Sequence, residues 1–147
     1  MPDQHIEMTQ LFDAPVETIF EILTDPESFG HLVNAKIKRV VDGPSENKNG
    51  IGSVKRIKTF LVPAFEETVI IFEPNKLIEY VISKGSPIKN HKGRMEFSQE
   101  QGSTRLKYTI DFEPKSPFLF FGSILKKAIE KPIKKGLVKL ANKYNLR

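Results

Sequence analysis

Five residues in the middle of the chain carry side chains that could do chemistry: Arg56, Glu67, Tyr80, His91 and Tyr108. His91 is an imidazole, and beside a cavity it could move protons as an acid or base near neutral pH. As a strand-end histidine it would only be hydrogen-bonded or wet. Glu67 could likewise abstract a proton next to a carbonyl. Paired with Arg56, it could orient the polar end of a ligand, or the two could form a structural ion pair that avoids lone burial of either charge. The hydroxyls of Tyr80 and Tyr108 could hold a ligand carbonyl or hydroxyl, or satisfy themselves locally with their rings in the core. His5 and His31 fall on other elements, and no His/Asp/Glu cluster has metal-ligand spacing. Neither "GPSENKNGIG" nor "GIGSVK" has the spacing of a phosphate loop, so neither a metal nor a cofactor is expected.

Strands must position these residues. The first run, His5 to Phe12, alternates apolar Ile6, Met8 and Phe12 with polar neighbours, as a half-buried strand does. "DAPVETIFEIL" then reads as a short helix with Asp13 as cap, Pro15 in the first turn and a stripe of Val16, Ile19, Phe20 and Leu23. A second short helix starts after Pro26. Further strands are predicted over 35–42, 52–61, 65–73, 76–84, 90–99 and 104–113, separated by turn-forming sequences. From 117 to about 144 the period is helical, with Ile124, Leu125, Ala128, Ile129, Ile133, Leu137, Leu140, Ala141 and Tyr144 on the apolar side and Pro132 as an expected kink.

Hairpin pairing decides which side chains share a face. A tight turn at Pro74-Asn75 sets Ile71 opposite Ile78, Val69 opposite Tyr80 and Glu67 opposite Ile82. A turn between Gln101 and Gly102 sets Phe97 opposite Leu106, Met95 opposite Tyr108, Gly93 opposite Ile110 and His91 opposite Phe112. The loop around Ser86-Pro87 matches Tyr80 with Gly93 and Ile82 with His91. The "LVPA" turn admits more than one register, one of which places Arg56 inward, opposite Glu67. Val69, Ile78, Tyr80, Ile82, Met95 and Phe97 are thus candidate ligand contacts, together with Tyr108 and Ile110. Gly93, in mid-strand, marks either a bulge or a hollow under the helix. In "SPFLFFGSILKKAIEKP" the run Phe118 to Phe121 precedes the helix, and core packing, membrane contact and a pocket rim are the three readings. A gate at the mouth of a pocket is preferred, which adds Phe118, Phe121, Leu125 and Ile129 to the candidate contacts.

The composition suits one domain spanning 1–147: 39% of the residues are apolar and 28% charged. With no cysteine, disulfide and thiolate chemistry are excluded, and a cytoplasmic location fits. The amino terminus lacks the pattern of a secretory signal. The net charge of +5 is uneven: Ser123 to Arg147 hold seven Lys and one Arg against one Glu. That basic helix is either a solvated face or a contact for an anionic membrane or an acidic partner. No nucleic-acid-binding motif accompanies it, and nucleic acid is not expected as a partner.

The order of these parts resembles the START-like, or Bet v 1-like, superfamily (SRPBCC), in particular its bacterial polyketide cyclase/dehydrase and lipid-transport branch. The likeness is carried by "FDAPVETIFEILTDPESF", "GIGSVKRI", "EPNKLIEYVISKGSP", "GRMEFSQEQGSTRLKYTIDF" and the long carboxyl-terminal helix. It implies an α+β helix-grip fold: a seven-stranded curved antiparallel sheet around that helix, with two short helices between strands one and two. It also implies a cavity for a small hydrophobic molecule such as a lipid, quinone or aromatic polyketide. The resemblance transfers no fixed catalytic triad. Binding or transport is the leading expectation. The alternatives are a cyclase or dehydratase using His91 or Glu67, and an interaction module using the basic helix.

Overall fold

The computed structural model describes residues 4–59, 63–115 and 121–145. Strand β1 (Gln4–Phe12) is followed by helices α1 (Val16–Thr24) and α2 (Pro26–Val33). Then come β2 (Lys36–Val41), β3 (Val54–Lys58), β4 (Phe65–Glu73), β5 (Leu77–Lys84), β6 (Ile88–Glu100) and β7 (Ser103–Pro114), and the helix α3 (Gly122–Asn145). The strands form one antiparallel sheet in the order β1-β7-β6-β5-β4-β3-β2, a helix-grip fold. Strands β2 to β7 pair as successive hairpins, and β1 closes against β7.

Local sequence explains the two short helices. Val16, Ile19, Phe20 and Leu23 are buried along α1 as their spacing requires. Pro15, rather than Asp13, is its N-cap, and no side chain caps it. Asp13 instead ties the two ends of the chain together: its backbone N–H donates to Asn145 Oδ1 at 2.8 Å, and its carboxylate accepts from Ser103 Oγ at 3.3 Å. α2 opens on Asp25, whose carboxylate accepts the Ser28 N–H at 3.0 Å, with Pro26 following. It ends on Asn34 in the left-handed region at φ 57°.

The register left open by the "LVPA" turn is settled, and two others differ from expectation. The β3–β4 hairpin pairs Lys55 with Glu67 and Arg56 with Glu66. That one-residue slip reverses the facing of the strand. Arg56 consequently points outward, with its side chain 55% exposed and 3.0 Å from Glu66. In the β4–β5 hairpin the pairs Val69–Tyr80 and Glu67–Ile82 hold, but a bulge between Val69 and Ile71 puts Phe72, not Ile71, opposite Ile78. The β6–β7 pairs from Gly93–Ile110 to Phe97–Leu106 hold, while an irregularity between Lys89 and Lys92 takes His91 out of the ladder position opposite Phe112.

α3 packs chiefly on β1 and α2, with a lesser contact to β7. Leu137, Leu140 and Ala141 are buried there. The helix continues through Pro132. Its apolar stripe is shorter than the sequence period suggests: Ile124 is 61% exposed. On the other side of the sheet's inner face, the Phe20 ring of α1 meets Phe97 edge-on at 4.9 Å and Phe72 at 5.4 Å. Among the described residues no helix is long and apolar enough to cross a membrane.

The approach of α3 to α2 depends on Gly136. A Cβ there would stand 2.7 Å from the Leu32 carbonyl oxygen, a backbone atom that cannot swing aside. Gly136→Ala should therefore destabilise the protein by about 1–3 kcal/mol, the range of core overpacking, and lower Tm by several degrees. Helix propensity alone predicts the opposite sign, so a rise in Tm on thermal melting would show that the close approach is not a constraint.

Candidate functional site

A cavity of about 280 Å³ lies where the amino-terminal half of α3 stands over β3 to β7. Its floor is formed by buried residues, among them Tyr108, Ile110, Tyr80 and Ile57. Its rim is more exposed and comes from three directions: Phe65 of β4, Ser86 and Pro87 of the β5–β6 loop, and Leu125, Ala128 and Ile129 of α3. Phe29 and Val33 of α2, with Ile37 of β2, close the side.

The polar groups gather among the lining residues of the sheet. Lys55 Nζ lies 3.6 Å from Glu67 Oε1, with side chains 14% and 11% exposed respectively. Facing positions on β3 and β4 bring them together. The ammonium also sits 4.8 Å from the centre of the Tyr80 ring and 5.8 Å from that of Phe29, a cation–π setting. Burial pushes the Glu67 carboxyl above its usual value, and the Lys55 charge opposes that shift.

The hydroxyls of Tyr80 and Tyr108 are hydrogen-bonded to each other. Burial raises both phenols, Tyr80 further through its tyrosine neighbour and both through Glu67, so each stays protonated. Gly93 does not leave a hollow: a Cβ there would collide with the Tyr80 ring, which lies across the glycine. The empty space is elsewhere, between these rings and α3.

His91 faces the site in alternation with buried Gly93 and Met95, beside an irregular step between Lys89 and Lys92 where Asn90 has φ 51°. Its Nδ1 accepts the Ile82 N–H at 3.1 Å. That bond places the proton of the neutral ring on Nε2. Burial, helped by the nearby Lys55 charge, lowers the His91 pKa to about 4. At neutral pH the site therefore holds a neutral imidazole.

Of the residues singled out from sequence, Glu67, Tyr80, Ile82, His91, Tyr108 and Ile110 line the cavity, as do Leu125 and Ile129. Val69, Ile78, Met95 and Phe97 share the inner face but belong to the closed core toward α1. Arg56 is outside on the solvent face. Phe121 is 46% exposed and is not a lining residue; Phe118 lies outside the described residues. Sequence reasoning missed Lys55, although an inward Ile57 demands an inward Lys55 by strand alternation. It also missed the contribution of α2 and the start of β2. Among the described residues no group of His, Asp and Glu could hold a metal.

The sequence profile described as polyketide cyclase / dehydrase and lipid transport matches residues 3–145. No curated protein matches the chain in sequence. Solved structures with the same fold include the Zhui aromatase/cyclase from a Streptomyces species, at a TM-score of 0.77 and 15% identity over 99% of this chain and 98% of that one. The XoxI protein from Bacillus cereus gives 0.71 and 12% over 95% and 94%. Truncated norcoclaurine synthase from Thalictrum flavum gives 0.68 and 13% over 95% and 93%. A structure of that synthase holds dopamine and hydroxybenzaldehyde.

The histidine sets a testable pH dependence. Unfolded His91 protonates near 6.5, whereas the folded ring stays neutral to about 4. The stability tied to the neutral ring is complete above pH 6.5 and is lost as pH falls toward 4. Thermal melts should show the wild type losing Tm relative to His91→Gln across that window. Parallel curves, or an imidazole seen by NMR to titrate near 6.5, would place His91 in water.

Proposed function

The chain belongs to the polyketide cyclase / dehydrase and lipid transport family, and from that premise we propose that it binds and carries a small apolar molecule in the cavity under α3. The observation that carries this reading is the cavity itself, apolar over most of its lining, with Lys55, Glu67, Tyr80, His91 and Tyr108 among its polar residues. Such a site removes apolar ligand surface from water and leaves a few polar groups to set orientation. The aromatic compounds held by the norcoclaurine synthase neighbour support ligands of ring type. On this reading Tyr80, Tyr108 and Glu67 orient the ligand, while Ile82, Ile110, Leu125 and Ile129 grip it. The absence of cysteine suits a cytoplasmic carrier.

A second reading, catalysis of a cyclase or dehydratase type, draws on two features of the same site. His91 is neutral at neutral pH and presents its Nε2–H as a donor, and Glu67 has a raised carboxyl pKa. Glu67 could take a proton from the carbon beside a carbonyl in a ligand lying over the tyrosine pair, with the His91 Nε2–H as acid toward the carbonyl oxygen. The basic residues of α3 bear on neither reading.

A panel of lipids, quinones and aromatic polyketides should contain at least one compound that raises Tm by several degrees at saturating concentration. If the whole panel leaves Tm unmoved, the carrier reading is wrong. For any compound that is also turned over, Glu67→Gln or His91→Gln should abolish turnover while binding persists. Turnover unchanged in both variants would remove these residues from the chemistry.

A further inference from the structure

We propose that the ligand of this cavity is an apolar carboxylic acid that binds head first, its carboxylate on Lys55 Nζ and the His91 Nε2–H and its apolar body toward α3. The inference rests on the carrier reading and adds the chemical class and the direction of insertion.

The floor of the cavity is rich in donors. Lys55 offers ammonium hydrogens beyond the one directed at Glu67. With Nδ1 engaged by the Ile82 N–H, His91 keeps its other nitrogen as a donor. The Tyr80–Tyr108 pair shares one hydrogen and leaves one hydroxyl hydrogen over. Against these, among the described lining residues the one carboxylate is Glu67. An oxygen-acceptor head group answers this set, whereas an amine would meet the Lys55 charge.

The depth order fixes the direction. Tyr108, Tyr80, Glu67 and His91 are all buried, while Leu125 and Ile129 on α3 are partly exposed. A carboxylate on the floor thus leaves the ring system under the helix, where the lining is apolar.

Charge conservation makes the exchange feasible. Lys55 and Glu67 are 3.6 Å apart, beyond close hydrogen-bond contact. Burial already favours the protonated form of Glu67. When the ligand carboxylate arrives, Glu67 takes up one proton and the ligand replaces it as the anion beside Lys55. One buried cation and one buried anion are present before and after, so no unpaired charge is created. Among the described residues the other titratable groups lining the site are Tyr80, His91 and Tyr108, all neutral at pH 7.

The test uses the intact chain and four probes of one ring system: naphthalene, 2-naphthoate, 2-acetonaphthone and 2-(aminomethyl)naphthalene, titrated calorimetrically. The naphthoate should bind about tenfold or more tighter than naphthalene and the amine, the scale of a charge-assisted hydrogen bond, with the ketone between. Lys55→Met should erase that preference, bringing the ratio of naphthoate to naphthalene affinity to about one. Glu67→Gln, which removes the competing carboxylate, should strengthen naphthoate binding. The double variant Lys55→Met/Glu67→Gln, which leaves no unpaired charge, guards against misfolding of the single variants and should show no head-group preference. Intermolecular NOEs should join the distal ring of the naphthoate to Leu125 and Ile129 methyls. Naphthalene binding with no carboxylate preference, a preference that survives both lysine variants, or NOEs placing the distal ring on Tyr108 would each overturn the proposal and leave the carrier reading standing. If no probe binds, the proposal is wrong, and the carrier reading stands or falls with the wider panel.

Discussion

A straight helix cannot stay in contact with a curved sheet along its whole length, and the layout of the interior follows from where α3 is attached. At about 1.5 Å per residue, α3 is roughly 36 Å long. Its carboxyl-terminal half is held by Gly136 against Leu32, by Leu137, Leu140 and Ala141 in the core, and by the Asn145 hydrogen bond to Asp13. The amino-terminal half then projects over β3 to β5 without packing down on them. The gap beneath it is the cavity. On the opposite side of the same inner face α1 supplies Phe20 to fill the space, and there the sheet is closed.

A void lined by a charged pair needs both partners. Isolated burial of Lys55 or Glu67 would be strongly unfavourable, and their facing positions across β3 and β4 let each offset the other. A pair of matched apolar residues would serve stability equally well at such a site. Ion pairing therefore explains how the charges are tolerated, while their siting on the wall of a cavity is what ties them to ligand recognition. The same separation applies to the tyrosines. Gly93 gives the Tyr80 ring its berth, a packing matter; the hydroxyl pair that results faces the lining residues, a matter of function.

The fold was legible because its signals are periodic. Strand alternation, the stripe of α1 and the turns at Pro74-Asn75 and Gln101-Gly102 are local, and most of the hairpin pairs they imply occur. The site was only half legible. Arg56 and Lys55 are adjacent residues of like charge, and a one-residue difference in an ambiguous turn decides which of them is inside. The apolar pattern held the answer, since an inward Arg56 would expel Ile57. Val69, Ile78, Met95 and Phe97 share the inner face with Glu67, Tyr80 and Ile110, and nothing in strand periodicity tells which part of that face a helix will cover. That depends on the tertiary placement of α1 and α3. Phe121 was expected at the cavity and lies outside its lining for a related reason, because the turn into a helix has no fixed facing.

The cavity also coincides with a place where the sheet itself comes apart. The β5–β6 ladder runs as far as Tyr80 opposite Gly93 and stops there on its way to the loop. Past that point the Ile82 N–H is met by the His91 ring instead of a strand carbonyl. Irregular steps at Glu66–Glu67 and Val69–Ile71 in β4, and between Lys89 and Lys92 in β6, lie on either side of this opening. Bulges bend and twist a strand locally, and these lie beside lining residues Glu67 and His91. His91 is thus a replacement for a missing ladder bond as well as a lining group. A buried N–H left without a partner costs about 1–3 kcal/mol, which is reason enough for an acceptor at this position. Its second nitrogen is the part that packing does not require, and that is the atom on which any role toward a ligand must rest.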